Sequence, residues 1–262
     1  MDRMSSSNEH YIYSRYSVSI VAPFARTWRG AAVRRAERFA AALLLYSLPA
    51  MARTRRQFVL AFVAAVSLAL AYAFFWTPPG PRTLRAFDPD RTAALELSMW
   101  QAYYQKRNVR LFADLVTMGH EQYRFPWATA ARHAFHLARA AATFAKIRSG
   151  YEQVLPDLER AYTIAKDWTG AGFDPRAVAQ AELAWWVARR TPGQDSAEQV
   201  GQLIADEHAL LYEVPRERVL HASLLRARAG KLRDEGGERA DWAEVGRLLQ
   251  QSYRSLHTAV QR

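Results

Sequence analysis

Residues 58–76, a run of nineteen without one charged side chain, constrain this chain more than any other feature of it. As a helix rising about 1.5 Å per residue the run reaches about 28 Å, close to the roughly 30 Å hydrocarbon core of a bilayer. Arg53, Arg55 and Arg56 stand directly before it, and Tyr72, Phe74, Phe75 and Trp76 close it. By the positive-inside rule this pattern puts the N-terminus in the cytoplasm and an aromatic belt at the far interface. The expected arrangement is a signal anchor crossing the inner membrane once, with the C-terminal domain in the periplasm or outside. Thr77-Pro78-Pro79-Gly80-Pro81 then stops the helix, because proline lacks the amide donor and disfavours helical geometry in the residue before it. A cleaved signal peptide fits the same residues, with Ala71-Tyr72-Ala73 as a small-x-small cut site. Both readings export the domain; only the first leaves it in the lipid bilayer.

Charge follows the same division. The net charge is +11, yet up to Trp76 ten Arg face three acidic residues, and beyond it 26 basic residues face 22 acidic ones. Most of the imbalance therefore belongs to the tail. In the rest, signs alternate, as in Glu159-Arg160 and Arg216-Glu217-Arg218, which describes a mixed solvated surface rather than the basic stripe of a nucleic-acid domain. No nucleic-acid partner is expected. Arg in excess of Lys, with abundant Ala, points to a GC-rich and bacterial origin. Four segments result: a basic, disordered cytoplasmic tail over 1–56, a membrane helix over 57–76, a proline-rich linker over 77–90, and an exported helical domain over 91–262. Within the tail, the apolar stretch 39–48 is too short to span. Met51-Ala52-Arg53 reads as a compact start to a signal anchor, so translation is expected to begin at Met51.

Beyond the linker, helix punctuation recurs and strand punctuation hardly occurs. Asp88-Pro89-Asp90 caps a helix reaching Arg107, and Asn108 breaks it before a second over 109–123. Pro126 opens a third to Arg148, and Pro156 heads a fourth to Trp168. Asp174-Pro175 starts a fifth to Arg190, Ser196 with Gln199 makes a capping box for the sixth, and Pro215 and Asp241 begin the last two. Ala93, Leu97, Trp100 and Tyr104 step by four, three and four, as do Leu248, Tyr253 and Leu256 more loosely, and Val200, Ile204, Leu210 and Leu211 form a further apolar stripe. The fold class is all-α: one N-terminal transmembrane helix, then a helical bundle or stacked helical hairpins of about eight helices.

The chemistry-bearing residues are sparse. Cysteine is absent, which removes thiol catalysis, cysteine zinc sites, covalent haem attachment, a lipoprotein anchor and disulfides together. A di-iron bundle needs Glu-x-x-His on two helices; none occurs, leaving Glu96, Glu121, Glu182 and Glu207 as lone glutamates. His133 and His136, three apart, share a helical face and are the candidate metal or haem ligands, although no acid stands at their helical neighbour positions. His120-Glu121 lacks the second histidine of a zinc-protease helix, and no phosphate-cradling loop or nucleophile elbow is present. The aromatic residues weigh more. Trp100 and Tyr104 on one helix and Trp185 and Trp186 on another are the candidate partner contacts, since Trp and Tyr anchor interfaces, and adjacent tryptophans diverge by about 100° on a helix. The functional expectation is a membrane-anchored, non-catalytic domain binding a protein partner in the bacterial envelope, with no cofactor. The alternatives are a metal- or haem-dependent protein using His133 and His136, and a soluble periplasmic binding module after signal cleavage.

Overall fold

The computed structural model describes residues 54–261. The chain divides into two units, Met1–Phe62 and Val63–Arg262. The expected tail up to residue 53, its 39–48 stretch and the Met51 start lie outside the described residues. Among the described residues there are nine α-helices and no strand. The first, α1 (Thr54–Phe75), is one continuous helix, long and apolar enough to cross a membrane. Phe58, Phe62 and Leu68 on it are all exposed, so its apolar side chains enter no protein core.

The other eight are α2 (Pro89–Tyr104), α3 (Asn108–Glu121), α4 (Trp127–Lys146), α5 (Leu155–Thr169), α6 (Pro175–Ala188), α7 (Ala197–Tyr212), α8 (Arg216–Gly236) and α9 (Trp242–Gln261). Their starts follow the punctuation closely. The Asp88 carboxylate accepts from the amides of Asp90 and Arg91, and Asp174 from that of Arg176, each occupying an amide that the first turn leaves unpaired. Asp241 does the same for α9. At α7 the capping box is half made: Ser196 Oγ accepts from the Gln199 amide, while the Gln199 side chain turns to the Ser196 hydroxyl instead of its backbone.

Each helix packs on its successor, and α9 packs back on α2, which closes four hairpins into a ring. Short connections make sequence neighbours antiparallel, so α2, α4, α6 and α8 run one way and the intervening helices the other. One end of the ring is filled. Ala130, Val178 and Val219, from the N-terminal halves of α4, α6 and α8, meet Phe125, Tyr212 and Leu256 there in a single buried cluster. The segment between α1 and α2 belongs to that cluster too, because Leu84 and Phe87 are buried in it. Arg124 holds this segment in place, donating to the carbonyls of Pro79 at 3.1 Å and Ala86 at 2.7 Å. At Gly80 any side chain would collide with that guanidinium, which glycine's φ of +132° also reflects.

The stripe expected on α7 shifts. Val200 and Ile204 are buried, but Leu210 is exposed; the buried face continues through His208 and Tyr212 in strict steps of four. Position around the helix decides here, and a polar His208 is buried where an apolar leucine is not. Gly201 on the same helix lies against Leu224 of α8, where a Cβ would come within 3.0 Å of the Leu224 backbone, so glycine sets how closely α7 and α8 approach.

At the filled end Phe125 is completely enclosed. Phe125→Ala is expected to lower stability by about 3–5 kcal/mol, read by urea denaturation of the purified chain.

Candidate binding cavity

Opposite the filled end, the C-terminal halves of α2, α4, α6 and α8 surround a cavity of about 450 Å³. Its lining comes from a simple spacing rule. Glu96, Trp100 and Tyr104 step by four along α2, and Glu182, Trp186 and Arg189 step by four and three along α6, so each set lies on one face. The four aromatic residues expected to contact a partner, Trp100, Tyr104, Trp185 and Trp186, all line this one cavity, with Tyr103, Phe144 and aliphatic side chains of α3 and α4. The two adjacent tryptophans do diverge. Trp185 is buried and its indole N–H donates to Glu207 Oε2 at 2.6 Å, whereas Trp186 is half-buried and meets Phe144 edge-on at 5.1 Å.

The floor is charged. Arg226 of α8 donates to Glu96 Oε1 of α2 from Nε at 3.0 Å and Nη2 at 2.5 Å, and its guanidinium lies 4.9 Å from the Trp185 ring centre. Glu96 is only 4% exposed, and its other oxygen, Oε2, has no hydrogen-bond partner among the described residues. Burial opposes the charge on Arg226, but Glu96 outweighs it and the pKa of the guanidinium rises.

Beside this pair, the Tyr162 hydroxyl of α5 bridges Glu182 Oε2 at 2.7 Å and Glu207 Oε1 at 3.2 Å. Burial, and then the neighbouring Glu207, push the Glu182 carboxyl up to about 8, so it is protonated at neutral pH. Glu207 is raised as well by burial, but Arg226, Trp185 and Tyr162 favour its charged form. Tyr162 has one O–H to donate and two carboxyl groups within reach, the shorter contact being to Glu182. Glu182 is half-buried and faces the cavity.

At the rim, Arg189 pairs with Asp234 at 2.6 Å, and the Tyr104 hydroxyl donates to the other Asp234 oxygen at 3.1 Å. Arg190 donates to the Phe144 carbonyl at 2.6 Å and covers that ring at 3.7 Å. Four parallel helices end here, and the negative ends of their dipoles favour such cations.

The histidines go elsewhere. His133 is buried edge-on against Phe125 at 5.2 Å, its Nδ1 has no hydrogen-bond partner, and burial followed by the nearby His136 lowers its pKa to about 4. His136 reaches Asp157 of α5 at 2.9 Å, an acid supplied across the helix pair that Arg139 also grips. His208 is held neutral by burial, with Ser223 at 3.0 Å from its Nδ1. Among the described residues no three His, Asp or Glu side chains are grouped so as to hold a metal ion. Of the four lone glutamates, Glu96, Glu182 and Glu207 do converge, while Glu121 pairs with Arg91 at the surface. Sequence reasoning did not single out Arg226 or Asp234, which lie on a helix without a tryptophan or tyrosine to mark them; Arg189 follows Trp185 by four residues.

No protein-family model, curated protein or solved structure matches this chain.

Two outcomes follow from the floor. Arg226→Met strands the buried Glu96 charge and is expected to cost about 3–5 kcal/mol by chemical denaturation, with much of the loss recovered in the Glu96→Gln/Arg226→Met double variant. Glu182 sets a pH dependence: above its ordinary value of 4.5 the unfolded chain releases a proton that the folded chain keeps until about pH 8. Stability contributed at this site therefore falls as pH rises through that window, by at most about 1.4 kcal/mol per pH unit. Glu182→Gln is expected to gain on the native chain across it and to run parallel below and above it.

Proposed function

We propose that this chain is a non-catalytic binding module, tethered to a membrane by α1, that holds a small organic ligand in the cavity between α2, α4, α6 and α8. One observation carries the reading. An open cavity of about 450 Å³, walled by aromatic side chains with a few polar groups on its floor, has the size and character of a small-molecule site. A closed ring of helices with a filled opposite end pre-forms that site, so little ordering is lost on binding. Support for the tether is the exposed apolar surface of α1 from Phe58 onward, which follows Arg53, Arg55 and Arg56 and is closed by an aromatic cluster, the pattern of a single-pass inner-membrane anchor with its N-terminus inside. Trp76, just past α1, stacks on Tyr72 at 5.0 Å and lies 5.1 Å from His120. A soluble periplasmic module cut after Ala73 would keep Trp76 on His120 but lose Tyr72.

A protein partner in the bacterial envelope is the second reading. It is favoured by Val109 and Phe112 on α3 and Phe135 on α4, exposed apolar side chains on two helices whose inner faces supply Leu111, Leu115 and Leu137 to the cavity. A partner seated there would insert its own aromatic side chain.

Phenylbutanol, a neutral probe with an aromatic body, tests the cavity on the full chain in lipid nanodiscs by calorimetric titration. Saturable binding at one site is expected, weakened at least about tenfold by Ala141→Trp, which fills the cavity from α4. Equal binding to both chains would sink the reading.

A further inference from the structure

We propose that the cavity takes an organic cation, a primary amine on an aromatic or aliphatic body, with Glu182 as its counter-ion. The inference rests on the cavity being a ligand site and specifies the ligand's charge. Acids and arginines both line the cavity, so what matters is which of them are already paired. Arg226 is bound to Glu96, Arg189 to Asp234, and Arg190 to the Phe144 carbonyl. Glu182 forms no ion pair with any described residue; the Tyr162 hydroxyl and the Trp186 side chain are its hydrogen-bond partners. An ammonium brings three N–H donors and no acceptor, which suits a floor offering carboxylate oxygens. The walls suit it as well, since Trp186 and Tyr103 line the cavity and aromatic ring faces attract a desolvated cation.

Binding is then an exchange of one positive charge for another. The empty cavity keeps Glu182 neutral with a proton; the ammonium replaces that proton, which leaves to solvent, and the site ends with a carboxylate–ammonium pair of unchanged total charge. The groups facing Glu182 permit this. Tyr162 of α5 can turn its O–H to either carboxylate, Glu207 of α7 and Glu96 of α2 add negative potential, Arg226 of α8 opposes them, and α4 faces the cavity with uncharged Leu137 and Ala141. Affinity for the amine therefore rises with pH until Glu182 is ionised without help, and falls where the amine itself loses its charge.

The test compares phenylbutylamine, phenylbutanol and phenylbutyrate, matched bodies of positive, neutral and negative charge, on the full chain in nanodiscs. The amine is expected to bind at least about tenfold more tightly than the alcohol. Calorimetry in two buffers of different ionisation enthalpy is expected to show release of close to one proton per amine at neutral pH, and none for the alcohol. Glu182→Gln, which copies the protonated acid, should bring the amine's affinity down to that of the alcohol. Alcohol binding that Ala141→Trp abolishes, with no preference for the amine and no proton release, overturns the cation inference and leaves the cavity reading standing. A preference for phenylbutyrate overturns it also. If none of the three binds, both fail. Proton release by the native chain decides the matter even if Glu182→Gln does not fold.

Discussion

The contact between Arg226 and Glu96 governs the arrangement of everything around it. It joins the middle of α8 to the middle of α2, helices far apart in sequence that sit on either side of the closing helix α9. Above it the helices part around a cavity; below it they meet in apolar contact. A buried pair of this kind is an unreliable source of net stability, because desolvating both ions offsets their attraction. Its effect here is positional. Only one rotation of α8 and one of α2 bring a guanidinium fork to a carboxylate, and the same rotations face Trp100 and Asp234 into the open half of the ring.

From that layer the remaining electrostatics are set in order. Glu207 is anchored by Trp185 and lies in the field of Arg226, which leaves Glu182 as the member of the trio that must keep a proton. The polar groups are thus arranged in depth. Glu96, Glu182 and Glu207 sit with Arg226 on the floor, aromatic rings stand above them, and Arg189 and Arg190 gather with Asp234 where the parallel helices end. Each level follows from something simple: desolvation at the bottom, four-residue spacing in the middle, helix dipoles at the top.

Much of the fold was legible in the sequence because helix ends are written locally. Asp88, Asp174, Ser196 and Asp241 act on amides two or three residues away, and each starts a helix where its side chain can cap one. The closure of the ring was not legible, since contact between α2 and α9 depends on how seven intervening turns and crossings add up. The site was half legible. Trp100, Tyr104, Trp185 and Trp186 stand out by their size, but their convergence on a shared cavity is a property of the ring. Glu96 and Glu182 were visible only as isolated acids, and Arg226 sat unnoticed in a helix whose charges look like those of a solvated face. His136 shows the same limit from the other side: its acid, Asp157, comes from α5, so no spacing on α4 could have announced it.

Aromatic contacts join the C-terminal end of the apolar helix to the helical ring. His120, 3% exposed, lies flat on Trp127 at 3.7 Å while donating from Nδ1 to the Phe125 carbonyl, and Trp76 leans on its other side. Phe125 is also fully enclosed at the filled end of the ring. The last turn of α1 is therefore geared to the core through three rings and one carbonyl, with no slack segment between them. The chain from Tyr72 onward is thus held to the start of α4 through a run of aromatic rings.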